Sequence, residues 1–310
     1  MIYALITKSA TIDRTRRLLI IKHRIPTNGY FQGWYFKNQS AMDIISFIPA
    51  YHMNEHGIPL ASIQVITSKE AYKIFYPYDE FRASKEKLAI RIGENLFTSQ
   101  GLRLNILTDK LTITGKLNYN VVTPPKHDIM GPFRYLPWMP CQHSIYSLTH
   151  QVEGVLMING KRIAFRRGQG YIEGDQGNGF PRDYLWTQCN WQEEGHHSLM
   201  LSVADLQLGP ISFTGCTGIV YYKGKEYRFA TYLGVKIKRL YPDELWVQQG
   251  KTELQVKILD RVENTLLAPV KGNMVRKVYE SVYSKIQYRF TIDGEVVFDF
   301  IGKGCFERGL

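Results

Sequence analysis

The sequence predicts an all-β protein built from two similar β-barrel, or highly curved β-sandwich, domains. Three observations lead to this prediction: many short runs rich in aromatic and β-branched residues, Asn-Gly and Asp-Gly pairs between such runs, and one segment that recurs later in the chain. Such runs favour strands, and such pairs favour tight hairpin turns. The 310 residues are long for one all-β domain and comfortable for two.

The predicted strands are distributed along the whole chain. They cover residues 30–36, 44–48, 62–67, 111–117, 198–203, 218–222, 227–232, 254–259, 286–292 and 296–301. No long amphipathic helix is predicted, and residues 84–92 are the one short stretch for which a helix is considered. Hairpin turns are predicted at Asn159-Gly160, Lys223-Gly224 and Asp293-Gly294.

An internal repeat is the strongest sign of two similar halves. The segment that starts at Ser281 repeats the one that starts at Ser147, 134 positions earlier, without gaps. Each copy predicts a strand, a tight turn, a second strand with a Gly-x-Gly bulge or barrel corner, and a final short strand. The alignment pairs Gly168 with Gly302, Gly170 with Gly304, and Glu173 with Glu307.

A weaker repeat links the beginnings of the two halves. The stretch GYFQGWYFK around Trp34 is similar to FPRDYLWTQCN around Trp186, and an apolar strand follows each. We therefore expect a boundary near residue 175, with one domain over residues 1–175 and the other over residues 176–310. Because barrels can hold a small ligand and domain junctions are favoured pocket positions, we expect an apolar site between the halves.

Charge and composition exclude several classes of protein. The net charge is +11, and the first 26 residues hold six basic residues against one acidic residue. A solvated surface is the favoured reading, contact with an anionic membrane is the alternative, and no motif indicates a nucleic-acid partner. The four cysteines are too scattered for a zinc site or a disulfide framework. No signal peptide or apolar span is predicted, so we expect a cytoplasmic protein.

The first candidate site lies in residues 168–191. Five glycines precede Pro181, so a flexible loop is predicted that brings Glu173 and Asp175 close to a ligand. The alternative is that these carboxylates only satisfy turn backbone groups. Strand alternation then places four side chains that combine aromatic bulk with amide groups on one face, namely Tyr184, Trp186, Gln188 and Asn190.

Two further segments are candidates for ligand contact. Residues 127–150 combine prolines with large apolar side chains, so we expect them to cover an apolar cavity, with His143 and Tyr146 following. His143 is a candidate acid or base, although a structural role is the simpler alternative. In residues 33–37 (GWYFK), Trp34 faces one side of a strand and Tyr35 the other, which also fits a plain core strand.

These segments resemble the tocopherol cyclase family. The similarity lies in GWYFK (33–37), IMGPFRYLPWMPCQHSIYSLTH (129–150), GYIEGDQGNGFPRDYLWTQCN (170–190) and LLAPVKGNMVRKVYESVYSKIQ (266–287). The four occur in the family's order and span nearly the whole chain. Gln176 and Asn178 stand where the plant and cyanobacterial cyclases carry Trp and Ser. The family is similar to carotenoid hydratases and polyene cyclases, which implies two lipocalin-like domains.

The resemblance also implies an activity. A prenyl-quinol hydroxyl would add across the nearest double bond of its tail, with Glu173 or Asp175 as the acid and with no cofactor or metal. Trp34, Tyr184 and Trp186 would stabilise cationic character, and Gln188 and Asn190 would hold the quinol oxygens. The remaining predicted substrate-binding residues are Tyr35, His143, Tyr146, Tyr171 and Phe180. The alternative function is a lipocalin-like carrier that binds a hydrophobic molecule without changing it.

Overall fold

A computed structural model describes residues 28–136, 139–208, 211–260 and 264–309. Within these residues the chain forms β-strands and short 3-10 turns, without an α-helix. The first half contains β1 (Tyr30–Gln39), β2 (Ile44–Met53), β3 (Pro59–Ile66), β4 (Ala71–Tyr76), β5 (Phe81–Ala83), β6 (Ala89–Ile92), β7 (Asn95–Thr98), β8 (Gly101–Leu107), β9 (Thr112–Tyr119), β10 (Cys141–Ile158) and β11 (Lys161–Gly177). The second half contains β12 (Tyr184–Gln192), β13 (His196–Leu208), β14 (Ile211–Tyr222), β15 (Lys225–Ala230), β16 (Lys236–Tyr241), β17 (Glu244–Gln249), β18 (Thr252–Asp260), β19 (Asn264–Val270), β20 (Asn273–Ile292) and β21 (Glu295–Gly309).

The first half is one strongly curved antiparallel sheet. Its strands follow the order β4-β3-β2-β1-β11-β10-β9-β8-β7-β6-β5. The two ends approach each other, and the Asn95 amide donates a 3.3 Å hydrogen bond to the Tyr76 hydroxyl between β7 and β4. Side chains such as Phe36, Phe47 and Phe97 fill the interior. The sheet is therefore a nearly closed barrel with its own apolar core.

The second half repeats this arrangement. Its strands follow the order β15-β14-β13-β12-β21-β20-β18-β17-β16, with β19 paired to one end of β20. The Ala230 amide donates a 3.3 Å hydrogen bond to the Gln249 side chain, which brings β15 close to β17. A second core forms around residues such as Phe229, Tyr288 and Phe290. Each half thus buries a separate apolar interior.

The strand order confirms the duplication. In each half the first strand pairs with the last, and the recurrent segment forms the long hairpins β10–β11 and β20–β21. A break in register between Ser147 and His150 recurs between Ser281 and Ser284, 134 positions later. Shared irregularities of this kind are much harder to explain by chance than shared strands.

The predicted hairpin turns are also confirmed. Asn159 and Gly160 have φ values of 47° and 77°, and Asp293 and Gly294 have values of 56° and 84°. Both central residues of a type I′ turn need positive φ, which Asn, Asp and Gly tolerate best. Each turn therefore fixes the register of its hairpin. The register decides to which side of the sheet the side chains near the carboxyl ends of β11 and β21 point.

Two local predictions are wrong. Residues 84–92 form no helix, because Leu88, Ile90 and Ile92 are buried in alternation and the last four residues belong to β6. The glycine-rich stretch is not a loop up to Gly177, since it continues β11 as one long strand. Its glycines allow close packing: a Cβ at Gly170 would overlap the ring of His150.

The weaker repeat needs a shift of one residue. Tyr35 lies opposite Glu173, and Trp186 lies opposite Glu307. Because Glu173 and Glu307 are equivalent in the two hairpins, Tyr35, not Trp34, is the counterpart of Trp186. Sequence similarity alone had aligned the two tryptophans.

The chain passes from the first sheet to the second through residues 178–183, between β11 and β12. The domain limits 1–175 and 176–310 stay a prediction. The basic segment 1–26, predicted as a candidate membrane contact, lies outside the described residues. Among the residues that are described, no helix is long and apolar enough to cross a membrane.

Candidate functional site

The two halves meet through the outer faces of β1, β11, β12 and β21. Tyr35 and Trp186 meet edge to face, with their ring centroids 5.6 Å apart. The fully buried Lys37 donates a 2.8 Å hydrogen bond from Nζ to Oε1 of Gln188. A third apolar cluster surrounds these contacts and joins the two cores. Equivalent strands of the repeat therefore face each other across this interface.

An apolar cavity of about 140 Å³ opens beside this interface. We name it the first chamber. Its apolar wall comes from β13, β14, Phe180 and the 3-10 segment before β10, and its polar wall comes from β10, β11 and β21. Its lining includes Ile129, Met130, Phe133, Met139, His143, Glu173, Asp175, Phe180, Tyr184, Trp186, Ser202, Ala204, Thr217 and Glu307.

A smaller cavity of about 70 Å³ lies on the other side of the same polar wall. We name it the second chamber. Its lining includes Phe31, Trp34, Tyr35, Ile48, Ala50, Gln64, Leu266, Leu267 and Val278. Four residues line both chambers: Glu173, Asp175, Phe180 and Glu307.

His143 lies between two carboxylates in the first chamber. Glu173 and Asp175 point to one side of β11 because they are two positions apart, and His143 lies directly opposite Asp175 on β10. The His143 Nδ1 is 3.0 Å from Oδ1 of Asp175, and its Nε2 is 3.4 Å from Oε2 of Glu173. Tyr171 donates a 2.6 Å hydrogen bond to that same oxygen of Glu173.

This environment raises the pKa of both Glu173 and His143, for different reasons. Burial raises the pKa of Glu173 to about 7; the His143 charge opposes the shift and the Asp175 charge adds to it. Burial lowers the pKa of His143, but the Asp175 and Glu173 carboxylates outweigh it and raise the value to about 9. Near neutral pH the chamber therefore holds an imidazolium ion next to a carboxyl group that readily gains and loses a proton.

The same three side chains are the candidates for a metal site. His143, Glu173 and Asp175 each offer one ligand atom, and these atoms lie within 4.8 Å of one another in the described part of the chain. Nitrogen and carboxylate oxygen ligands suit several divalent ions. In the geometry present, Nδ1 of His143 hydrogen-bonds Asp175, and Nε2 lies 3.4 Å from Glu173 as an ion pair. The expectation that no metal is needed stays a prediction.

The second half contributes another pair of carboxyl groups, Glu280 and Glu307. Glu307 lines both chambers and faces the fully buried Glu280 directly across β20 and β21. Burial raises the pKa of Glu307 to about 7 and that of Glu280 well above its usual range. Like charges directly opposite each other are unfavourable, so at least one of the pair holds a proton. Tyr184 donates a hydrogen bond to Glu307.

Sequence reasoning did not select Glu307 or Glu280 as site residues. The signal for Glu307 was present, because the repeat aligns it with Glu173. Glu280 had no such signal, since its burial depends on the pairing of β20 with β21 and on the packing of the second half against Tyr35.

The structure brings most of the predicted site residues to the chambers. The first chamber collects His143, Glu173, Asp175, Phe180, Tyr184 and Trp186, whereas Trp34 and Tyr35 line the second. Ile129, Met130, Phe133 and Met139 also line the first chamber, as the composition of residues 127–150 predicts. Trp138 lies outside the described residues.

Four predicted site residues line neither chamber. Tyr171 lies behind Glu173 and binds its carboxylate. Gln188 and Asn190 are engaged by Lys37 and by each other, with 2.8 Å between Nε2 of Gln188 and Oδ1 of Asn190. Tyr146 packs against the core of the first barrel. Direct ligand contact by these four stays a prediction, and their observed contacts are with other protein groups.

Comparison with solved structures supports the architecture. Kievitone hydratase from Nectria haematococca aligns with a TM-score of 0.55 and 13% identity, over 91% of this chain and 89% of that one. A candidate AttH protein from Nitrosomonas europaea aligns with a TM-score of 0.52 and 14% identity, over 90% and 92%. No protein-family profile matches the sequence. At these identities the similarity shows a shared fold alone, over about nine tenths of this chain, with a hydratase and with the AttH protein.

Proposed function

We propose that the protein is an enzyme that adds a hydroxyl group across a carbon–carbon double bond of a prenyl-quinol or polyene lipid. Addition of the lipid's own phenol closes a ring, and addition of water hydrates the chain. The observation that carries the proposal is Glu173, a carboxyl group with a pKa raised to about 7 that faces an apolar cavity beside His143. The raised pKa keeps a large share of this carboxyl group protonated near neutral pH, which a proton donor to an alkene needs.

Glu173, not Asp175, is the better acid. The Glu173 side chain is 7% exposed and that of Asp175 is 23% exposed. Asp175 is held by Nδ1 of His143, so it orients the imidazole. Tyr171 and His143 both approach Oε2 of Glu173, which leaves Oε1 as the oxygen that can act on a ligand.

The reaction needs one proton and returns one. Glu173 transfers its proton to the less substituted alkene carbon, and the more substituted carbon becomes a tertiary cation. The phenol oxygen, or a water molecule, forms the new carbon–oxygen bond and loses its proton to the Glu173 carboxylate. The His143 imidazolium stabilises that carboxylate between the two steps. No electron is gained or lost, so the chemistry needs no redox cofactor.

The chamber provides two further effects. Trp186 and Tyr184 line the same chamber as Glu173, so a cationic carbon beside them would face aromatic rings. Met130, Phe133 and Met139 form part of its apolar lining. A folded tail held against its own ring also removes most of the entropic cost of closure.

Two independent resemblances support this reaction class. The four sequence segments resemble tocopherol cyclases, and the fold is shared with a hydratase. Both named activities are additions of a hydroxyl group to a double bond. They differ only in whether the oxygen comes from the substrate or from water.

The test uses a hydroquinone with a short prenyl tail and the variants Glu173→Gln and Asp175→Asn. We expect the parent to form a product of unchanged mass by cyclisation, or of mass increased by one water by hydration, as read by mass spectrometry. Glu173→Gln should lose turnover by about 10²–10⁴-fold and Asp175→Asn by less. Equal turnover in the parent and Glu173→Gln would show that the assigned acid is wrong.

Two controls separate the alternatives. Parent protein treated with a chelator should keep its turnover, whereas a metal-dependent reaction would stop and recover on addition of the ion. A parent that binds the hydroquinone but returns it unchanged would be a carrier, which is the competing function of the same cavity.

A further inference from the structure

The two chambers are built from equivalent positions of the repeat. The pairing of β1 with β2 and of β12 with β13 places Ala50 opposite Gly33 and Ala204 opposite Tyr184, which are equivalent sites in the two halves. The same pairings make Ile48 the counterpart of Ser202, and Gln64 the counterpart of Thr217. In every pair, the first residue lines the second chamber and its counterpart lines the first chamber.

A segment beside each chamber is hydrogen-bonded to an equivalent position of the repeat. Gln64 makes two 3.2 Å hydrogen bonds with the backbone of Leu267, which closes the second chamber. Thr217 donates a 3.1 Å hydrogen bond to the carbonyl of Ile129, which closes the first. Each chamber therefore adjoins a segment that is hydrogen-bonded to the equivalent strand of the repeat, β3 or β14.

The chemistry of the two chambers differs at the position of His143. In β20 and β21, Tyr279 lies opposite Arg308 and Glu280 opposite Glu307. Continuing this register places Val278 and Gly309 where the first half has His143 and Asp175. Val278 lines the second chamber as His143 lines the first. The second chamber thus lacks the imidazole of the first, and the Gln64 amide is already bonded to Leu267.

We propose that the second chamber is a binding subsite for the apolar tail of the molecule whose reacting end lies in the first chamber. The inference rests on the proposed function and adds where each part of its substrate is bound. The larger chamber holds the ring beside His143. The tail runs along Glu173, Phe180 and Glu307, which border both chambers, and its far end lies against Trp34 and Leu266. The double bond next to the ring then lies at Glu173.

The test measures binding, not turnover, so its outcome is independent of the proposed reaction. The probes are hydroquinones with saturated tails of one, two and three isoprenoid units, which have no alkene to react. Calorimetry of the parent should show that the second and third units each tighten binding, by about tenfold or more together. The matched variants are Ala50→Leu in the second chamber and Ala204→Leu at the equivalent position of the first.

Ala50→Leu should abolish the gain from the longer tails and leave the one-unit affinity within about threefold of the parent. Ala204→Leu should weaken all three probes alike. Leu266→Ala, which enlarges the second chamber, should increase the gain from the third unit and does not depend on a larger side chain being tolerated. Equal weakening of all probes by Ala50→Leu, or no gain from longer tails in the parent, would overturn the subsite. Tail-dependent binding without turnover of any prenyl-quinol would instead refute the proposed reaction and leave the subsite standing.

Discussion

The two halves of the molecule share a scaffold and differ in chemistry. Both have the same strand order, the same bulge in the long hairpin and a covered apolar chamber at the interface. Only the first half places an imidazole beside its glutamate, whereas the second half places another carboxyl group there. A few side chains on a conserved pair of strands are therefore enough to distinguish a reactive chamber from a binding chamber.

Glu173 and Glu307 show the difference most clearly. Burial raises the pKa of each to about 7. Glu173 then faces a cationic partner in His143, whereas Glu307 faces another carboxyl group in Glu280. The first arrangement lets a carboxylate form transiently, and the second favours a carboxyl group that keeps its proton.

The largest expected effect separates these two glutamates. Glu173→Gln should lower kcat/KM for a prenyl-hydroquinone by about 10²–10⁴-fold, because it removes the acid. Glu307→Gln should lower it by about tenfold or less, because Gln accepts the same hydrogen bond from Tyr184. Steady-state kinetics of both variants measures the contrast. Similar losses in both would mean that the halves share the chemistry.

The second expected effect is a shift of the pH profile. Glu173 acts in its protonated form, so the rate should fall as pH rises through about 7. The His143 charge lowers the pKa of Glu173, and His143→Gln removes that charge. The alkaline limb of kcat/KM should therefore move upward, by about one pH unit. A downward shift, or none, would contradict the electrostatic role assigned to His143.

The sequence predicts local features of the fold better than long-range ones. Turns such as Asn159-Gly160 and the repeat at Ser147 and Ser281 were readable, because they depend on local backbone preference and on duplication. The repeat predicts strand structure up to Glu173, but one continuous strand to Gly177 was not readable. Its glycines are explained by neighbours such as His150 that pack against them from another strand. Propensity alone assigns such a glycine-rich run to a loop.

The third expected effect concerns stability. The folded pKa of Glu307 is raised from 4.5 to about 7, so the folded state holds its proton to higher pH than the unfolded state. Its stabilising contribution is complete below about pH 4.5 and is lost as pH rises to about 7. Glu307→Gln should reduce this decline and raise the unfolding free energy above pH 7 by roughly 1–3 kcal/mol.

Urea titrations across this pH range measure the third effect. The matched control is Glu55→Gln, which removes an exposed carboxylate 3.6 Å from Lys271. This control should leave the pH slope of the parent unchanged. A loss of stability in Glu307→Gln above pH 7 would argue that the buried carboxylate is stabilised in the folded state by groups other than Tyr184.

The smallest expected effect is at the polar contact between the halves. Lys37→Met keeps the bulk of the side chain but removes the donor to Gln188. We expect a loss of about 1–2 kcal/mol of unfolding free energy with little change in ligand affinity, measured by urea titration and calorimetry. Unchanged stability with weakened quinol binding would instead support the predicted ligand contacts of Gln188 and Asn190.

The candidate site was only partly predictable for a physical reason. Glu173, Asp175 and His143 could be selected by residue type and by family resemblance, because carboxyl and imidazole groups are common acids and bases. Gln188 and Asn190 are bound by Lys37 of the other half instead of lining a chamber. No local sequence pattern shows that Lys37 comes close to them. Pairing between distant strands thus decides which selected residues reach a ligand.

One measurement tests the central claim most directly, a crystal structure of Glu173→Gln with a two-unit prenyl-hydroquinone. The inactive variant should hold the unreacted molecule with its ring beside His143 and Asp175, the first double bond at residue 173, and the tail end against Trp34 and Leu266. A ligand whose ring lies beside Val278, or whose tail leaves through the opening of the first chamber, would contradict the division of roles between the two halves.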